Sequence, residues 1–227
     1  MRKLIFGRKY GGIGAKKVLD LPLQNNFDTG SSNSNYIVPA NSNGLPSFVA
    51  GPKGTDYAVN FTGTKSLKTA LNLAINTSDK VSISFWMKTT MTDGGMVAEL
   101  SVNSDVNNAF YIIMNNATTN YLSLRNRDGS NYSFVKSDVS GGSWKHIVCI
   151  IDRNLASSGG ESKIYVNKIL TSVNVVNSGD VTGNFDSYPL FIGQRNGSTY
   201  GFIGQLAYLK IFNYALTQTE IDNLYNE

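Results

Sequence analysis

Between residues 202 and 226 the chain reads FIGQLAYLKIFNYALTQTEIDNLYN, an apolar strand that runs into a short capped helix. The strand sets Phe202, Leu206, Tyr208 and Phe212 on one side and Ile203, Ala207, Leu209 and Ile211 on the other, so both of its faces can be buried. Such a strand belongs in the interior of a covered sheet. Thr217, with Glu220 three residues on, forms a capping box, and Leu216 is placed to staple onto Ile221. Ile221 and Leu224 share one face of the helix, so the segment crosses a sheet and then lays a small helix against it.

The rest of the chain supplies partners for that strand. Residues 81–88 alternate Val81, Ile83, Phe85 and Met87 with Ser82, Ser84, Trp86 and Lys88, and the first set is the predicted core face. Further strands are predicted at 18–23, 57–61, 96–101, 110–115, 121–125, 132–136, 144–152, 163–166, 169–175 and 190–193. Turn signals separate them at intervals of about 8–12 residues, the spacing of a β-sandwich. Pro22 confines the first strand to an edge or an end. Residues 24–55, rich in Asn, Ser and Gly and containing Pro39, Pro46 and Pro52, read as a long ordered loop with short extended pieces. No helix is predicted before the last one.

With 227 residues, 41% hydrophobic and 16% charged, the chain can build one large β domain or two small ones. No apolar run approaches the roughly 18 residues of a membrane span, so membrane insertion is not expected. The opening MRKLIF is broken by Gly7, Arg8 and Lys9 short of a signal-peptide core, and no secretion signal is read from it. Cys149 is the single cysteine, which leaves no internal disulfide; between Val148 and Ile150 it reads as a small buried hydrophobe. The formal net charge of +4 is concentrated at one end. Arg2, Lys3, Arg8, Lys9, Lys16 and Lys17 stand among residues 1–17 with no acid, while the remainder holds more acids than bases. That segment is either a solubilising tail or an anchor. Phe6 and Tyr10, interleaved with the charges and with glycines, favour the anchor.

Seven segments follow one another in a specific order: LPLQNNFDTGSSNSN, GPKGTDYAVNFTG, VSISFWMKTT, SWKHIVCIID, SKIYVNKIL, LFIGQRNG and FIGQLAYLKIFNYALTQTEIDNLY. Together, from about Val18 onward, they resemble the laminin-G-like, concanavalin A-like lectin/glucanase superfamily. The resemblance implies an all-β jelly-roll sandwich of two antiparallel sheets over residues 18–227, with a short C-terminal helix, behind a basic tail at residues 1–17. It also implies a family that mostly binds glycans or proteins and in some members cleaves polysaccharides. Two departures stand out. Ala207 and Tyr208 occupy the place of an acidic pair in many relatives, and a hairpin that usually turns on Asn-Gly has Asn167-Lys168. Because Lys tolerates positive φ less well, a slightly different turn is expected there.

Retaining glycoside hydrolysis needs two carboxyl groups about 5–5.5 Å apart. The glutamates are Glu99, Glu161, Glu220 and Glu227; only Glu99 is in a mid-chain strand, and it has no acid two residues away. The chain is therefore expected not to be an enzyme. His146 lacks a serine or cysteine partner in a recognisable motif and is expected to be structural, hydrogen-bonded near a sheet edge. No motif requires a cofactor, and calcium stays open. Asn103, Asp105 and Asn107 in one loop and Asp128 in another could supply its oxygens, though each loop also reads as a plain turn. For glycan binding, which needs exposed aromatics beside polar groups, the candidates are Trp86, Arg125, Tyr132, Arg195, Asn196 and Tyr200. Against this stands a Trp86 packed under a loop and an ordinary surface elsewhere.

The expectation drawn from all this is a non-catalytic virion structural protein of a bacteriophage, made in the host cytoplasm and associated with capsid, tail or fibre. Its tail (Arg2, Lys3, Phe6, Arg8, Lys9, Tyr10, Lys16 and Lys17) would dock onto other virion proteins, and its lectin-like domain would meet host surface glycans. The alternatives are a decoration protein without a glycan ligand and, third, a polysaccharide hydrolase. Nucleic acid is disfavoured as a partner, because a few charges without a folded groove give only salt-sensitive attraction. A homo-oligomer stays open.

Overall fold

The computed structural model describes residues 16–21, 23, 37–101, 108–114, 121–158 and 160–227. The strands in chain order are β1 (Lys17–Leu21), β2 (Ile37–Pro39), β3 (Ser47–Ala50), β4 (Tyr57–Thr62), β5 (Leu67–Thr69), β6 (Lys80–Lys88), β7 (Gly95–Leu100) and β8 (Ala109–Met114). They continue with β9 (Tyr121–Arg127), β10 (Tyr132–Asp138), β11 (Lys145–Asp152), β12 (Ser162–Val166), β13 (Ile169–Leu170), β14 (Val173–Asn177), β15 (Leu190–Ile192) and β16 (Ile203–Phe212), before helix α1 (Gln218–Asn226). All pair antiparallel, in two sheets. The first runs β13-β12-β11-β6-β16-β4-β3, with β1 beside the later part of β16, whose earlier part pairs with β4. The second runs β14-β10-β9-β8-β7-β15-β5-β2.

The alternation of each strand decides what lies between the sheets. Ile83, Phe85 and Met87 of β6 and Ile147, Cys149 and Ile151 of β11 meet Phe110, Ile112 and Met114 of β8 and Leu122 and Leu124 of β9 in one buried cluster. This is the expected two-layer sandwich. Burial pushes the Cys149 thiol far above its ordinary pKa, so it is an inert core side chain.

Strand β16 departs from the simple alternation. Its pairing with β6 shifts register between Ala207 and Lys210, and Tyr208 has a φ of 54°. This bulge inserts a residue, so Leu206, Leu209 and Ile211 all reach the core, while Phe212 turns to the outside. There Phe212 packs with Val148, Ile150, Leu216 and Ile221, which docks α1 on the outer side of the first sheet. The capping box forms as the sequence predicts. The Thr217 side chain accepts the Glu220 N–H, and the Glu220 carboxylate accepts the Thr217 N–H at 2.8 Å.

Other expectations need correction. The strand predicted at 169–175 is two strands in different sheets, with the break where the Thr171 and Ser172 N–H groups both donate to the Ile164 carbonyl. Strand β5 and a 3-10 turn at Arg153–Ser158 were not predicted. Asn167 and Lys168 have φ of 49° and 75°, the two positive values of a type I′ turn, so Lys replaces Gly without changing the sense of the turn. Lys168 is held there by Gln218 Nε2, which donates to its carbonyl, and by the Tyr225 ring 4.7 Å from its ammonium. Lys16 and Lys17, grouped above with the tail, belong to the sandwich: Lys16 N–H donates to Asn213 Oδ1, and Lys17 pairs with Phe212 in the sheet and with Asp20 through its side chain. The other anchor residues, Arg2, Lys3, Phe6, Arg8, Lys9 and Tyr10, lie outside the described residues. No helix among the described residues is long and apolar enough to cross a membrane.

Candidate functional site

The hairpin of β9 and β10 turns on residues 128–131, and Arg127 pairs with Tyr132. That register, continued through β8 and β7, sets Glu99, Tyr111, Arg125 and Phe134 side by side on one rung. Leu122, Leu124 and Val135 of these strands point into the core, so the rung and its neighbours Tyr121, Tyr132 and Lys136 face outward. The result is an interleaved surface of cations and rings. The Arg125 guanidinium lies 5.4 Å from the Tyr111 ring, 5.1 Å from Tyr132 and 5.5 Å from Phe134. The Lys136 ammonium lies 4.3 Å from Tyr121. Arg195 lies 5.1 Å from Tyr111 and 4.7 Å from Tyr200, so Tyr111 joins the two arginines.

A buried carboxylate fixes this arrangement. Glu99 is 1% exposed, and its Oε1 accepts from Arg195 Nε at 3.2 Å, while its Oε2 has no hydrogen-bond partner among the described residues. Burial raises the pKa of Glu99, and the Arg195 charge works against that without cancelling it. The loop that carries Arg195 is also braced. Gln194 is buried against Ser66, Asn41 and the Gly63 carbonyl, and the Tyr200 carbonyl accepts the Met96 N–H. Gly201 passes so close to Gly63 that a Cβ would stand 1.8 Å from its carbonyl oxygen, which only glycine permits. Tyr200 itself is 48% exposed.

Of the six glycan-binding candidates, Arg125, Tyr132, Arg195 and Tyr200 therefore come together, with Asn196 exposed at a φ of 46° in the same loop. Trp86 does not join them. It is on the outer side of the first sheet, its ring 5.4 Å from both His146 and Tyr225. Tyr111, Tyr121, Phe134 and Lys136 were not singled out from the sequence, although the turn at 128–131 and the alternation of 121–127 and 132–136 carry the signal. His146 is hydrogen-bonded as expected, its Nε2 2.9 Å from Ser84 Oγ, but β11 is an interior strand and not an edge. Burial, then the charges of Lys210 and Lys53, press its pKa down to about 4.

Another residue the sequence did not flag supports the sandwich. Arg153 is buried on the Phe185 ring at 3.9 Å and donates to Asn126 Oδ1 and to the carbonyls of Arg127, Gly183 and Asn184. For calcium, Asn103, Asp105 and Asn107 lie outside the described residues. Asp128 closes a turn: Oδ1 accepts the N–H groups of Ser130 and Asn131, and Oδ2 that of Thr182. Burial pushes its pKa up, but these backbone donors outweigh it and the net shift is downward. Among the described residues no group of three or more His, Cys, Asp or Glu side chains is placed to hold a metal.

A family model described as the Concanavalin A-like lectin/glucanases superfamily, of laminin G type, matches residues 61–222. Domain 4 of AbnA, a GH43 extracellular arabinanase from Geobacillus stearothermophilus solved in complex with arabinotriose, superposes with a TM-score of 0.69 at 17% identity, covering 93% of this chain and 98% of that one. The binding domain of botulinum neurotoxin DC, in complex with SialylT, gives 0.62 at 15% identity, covering 92% of this chain and 50% of that one. The binding domain of Paraclostridial Mosquitocidal Protein 1 gives 0.63 at 16% identity, covering 92% and 52%. The chain thus spans about half the length of the two toxin domains, and the likeness is one of fold. No curated protein sequence matches the chain.

Proposed function

The chain belongs to the concanavalin A-like lectin/glucanases superfamily, and we propose that it is a non-catalytic module that binds a glycan across the outer face of its second sheet. The observation that carries this reading is the set of Tyr111, Arg125, Tyr132, Arg195 and Tyr200, two guanidinium groups within 4.7–5.4 Å of the half-buried Tyr111 and Tyr132 rings and the exposed Tyr200 ring. Ring faces stack on the C–H face of a pyranose or furanose, while guanidinium and phenol groups bond its hydroxyls. Because Glu99 and the braced loop already hold Arg195 in place, little side-chain freedom is left to lose on binding. Domain 4 of AbnA, of the same fold, was solved with a bound trisaccharide. The outward-facing glutamate of the rung is enclosed and paired with Arg195, which suits a positioning group better than a general acid or base.

The finer part of the proposal is display on a bacteriophage virion, with the basic residues 1–15 docked onto particle proteins and the glycan supplied by the host surface. The clustering of positive charge in that segment supports it. A panel of bacterial surface polysaccharides tests the binding claim. Saturable binding by the intact chain, weakened about tenfold or more by Arg125→Gln and by Tyr132→Ala, is the expected result. Unchanged affinity in both variants, or no binding across the panel, would refute it. Attachment is tested separately: a particle that still incorporates a chain lacking residues 1–15 removes the anchor from the account.

A further inference from the structure

The outer side of the first sheet holds a recess of about 250 Å³ that the glycan-binding reading leaves unused. Ser84 and Trp86 of β6, His146 of β11 and Tyr208 and Lys210 of β16 line it, together with Lys53, Asp20 of β1, and Leu224 and Glu227 at the end of α1. Three observations at this place call for a ligand. First, Tyr208 lines the recess from the bulge, in a left-handed conformation that costs a bulky residue about 1–2 kcal/mol and is kept. Second, the cations differ in their pairing. Lys210 is matched with Glu227, and Lys17 nearby with Asp20, whereas the Lys53 ammonium meets only ring faces among the described residues, 5.8 Å from Trp86 and 5.4 Å from Tyr208. Third, His146 is 1% exposed, and with Nε2 engaged by Ser84 its Nδ1 has no hydrogen-bond partner among the described residues.

We propose that this recess is a second ligand site, one that takes an acidic monosaccharide unit: the apolar face of a pyranose lies on Trp86 and Tyr208, and its single carboxylate takes Lys53. The charge of the ligand follows from the pairing. A cation would compete with Lys53 for the same rings, and a dianion such as phosphate would need a second unpaired cation, which Glu227 withholds by engaging Lys210. A monocarboxylate instead gives Lys53 a charge-assisted hydrogen bond, roughly twice as strong as a neutral one, next to low-dielectric ring surfaces. A flat aromatic carboxylate shares this chemistry, and the test separates it from the sugar acid.

This site stands independently of the second-sheet reading. The chain has two tryptophans, Trp86 and Trp144, so intrinsic fluorescence reports on the recess, and titration calorimetry on the same samples reports binding that leaves fluorescence unchanged. The probes are glucuronate, N-acetylneuraminate, glucose, benzoate and inorganic phosphate, applied to the intact protein at low ionic strength. Expected is saturable binding of at least one sugar acid, stronger than that of glucose, benzoate or phosphate. It should weaken about tenfold in Lys53→Gln. Lys53 is a half-buried loop side chain, so an unchanged circular dichroism spectrum and melting curve certify that variant. No binding of either sugar acid, preference for glucose, benzoate or phosphate, or equal affinity in Lys53→Gln would overturn the assignment.

Discussion

Replacing Arg195 with methionine strands the carboxylate of Glu99. The side chains are 15% and 1% exposed, and Arg195 Nε donates to Glu99 Oε1 at 3.2 Å. At that distance and an effective dielectric constant near 20, the attraction is about 5 kcal/mol. Desolvation is larger, since the Glu99 pKa is raised even with Arg195 beside it. Arg195→Met removes the offsetting attraction and leaves the desolvation, so a loss of about 3–5 kcal/mol is expected at neutral pH. The loss depends on the charge. A carboxyl with a raised folded pKa takes up a proton on folding, so its contribution to stability is fully present below its unfolded value of 4.5 and is lost as pH rises through the folded value. The variant raises the folded value further, and its deficit should shrink as the solution is acidified towards 4.5. Urea unfolding followed by circular dichroism, near neutrality and near pH 4.5, measures this. Addition of Glu99→Gln should restore most of the loss at neutral pH. An equal deficit at both pH values, or no restoration by the second substitution, would show that Glu99 is not the charge at issue.

Three further outcomes follow from the geometry. His146, held to about 4 against an ordinary 6.5, binds fewer protons folded than unfolded in that interval, so it costs the protein stability as pH falls from 6.5 to 4. The loss approaches about 3 kcal/mol, His146→Gln should flatten that part of the stability profile, and an unaltered profile contradicts the burial argument. Thr217→Ala should cost about 1 kcal/mol through the lost cap, and Ile221→Ala about 2–5 kcal/mol through the emptied site beneath α1; equal melting shifts for the two would contradict the packing described. Lys168→Gly relieves about 1 kcal/mol of left-handed strain but gives up about 0.5–1 kcal/mol on the Tyr225 ring, so it should be near neutral in thermal unfolding. Lys168→Val, β-branched at positive φ, should clearly destabilise, and a tolerated valine would mean that the turn is not held as described.

Elements with one covered face were legible from the residues alone. Val81, Ile83, Phe85 and Met87 state their inward face by alternation, and Thr217 with Glu220 states the start of α1. What period-two reasoning could not show is where the count slips. At Tyr208 the bulge adds one residue, so Leu206 and Leu209, three apart, share the core, and no side-chain pattern in 202–212 distinguishes that from an unbroken strand. The predicted strand at 169–175 failed for a related reason: Thr171 and Ser172 are acceptable strand residues, yet both donate to one carbonyl and turn the chain to the other sheet. The candidate site was half legible. Arg125 and Tyr132 face the same way once the turn fixes Arg127 against Tyr132, but the bond between Glu99 and Arg195 joins residues far apart in sequence and depends on the whole sandwich. Trp86 shows the limit most plainly, since a residue on the less apolar side of its strand can face outward from either sheet.

The outer face of the second sheet is tested most directly by nuclear magnetic resonance of the isotope-labelled protein, titrated with the strongest-binding oligosaccharide of the polysaccharide panel. Saturable shifts of the Arg125 and Arg195 side-chain N–H signals, together with the backbone amides of Tyr111, Tyr132 and Tyr200, are expected. Bound oligosaccharide that leaves all five unmoved would contradict the assignment of the glycan to that face.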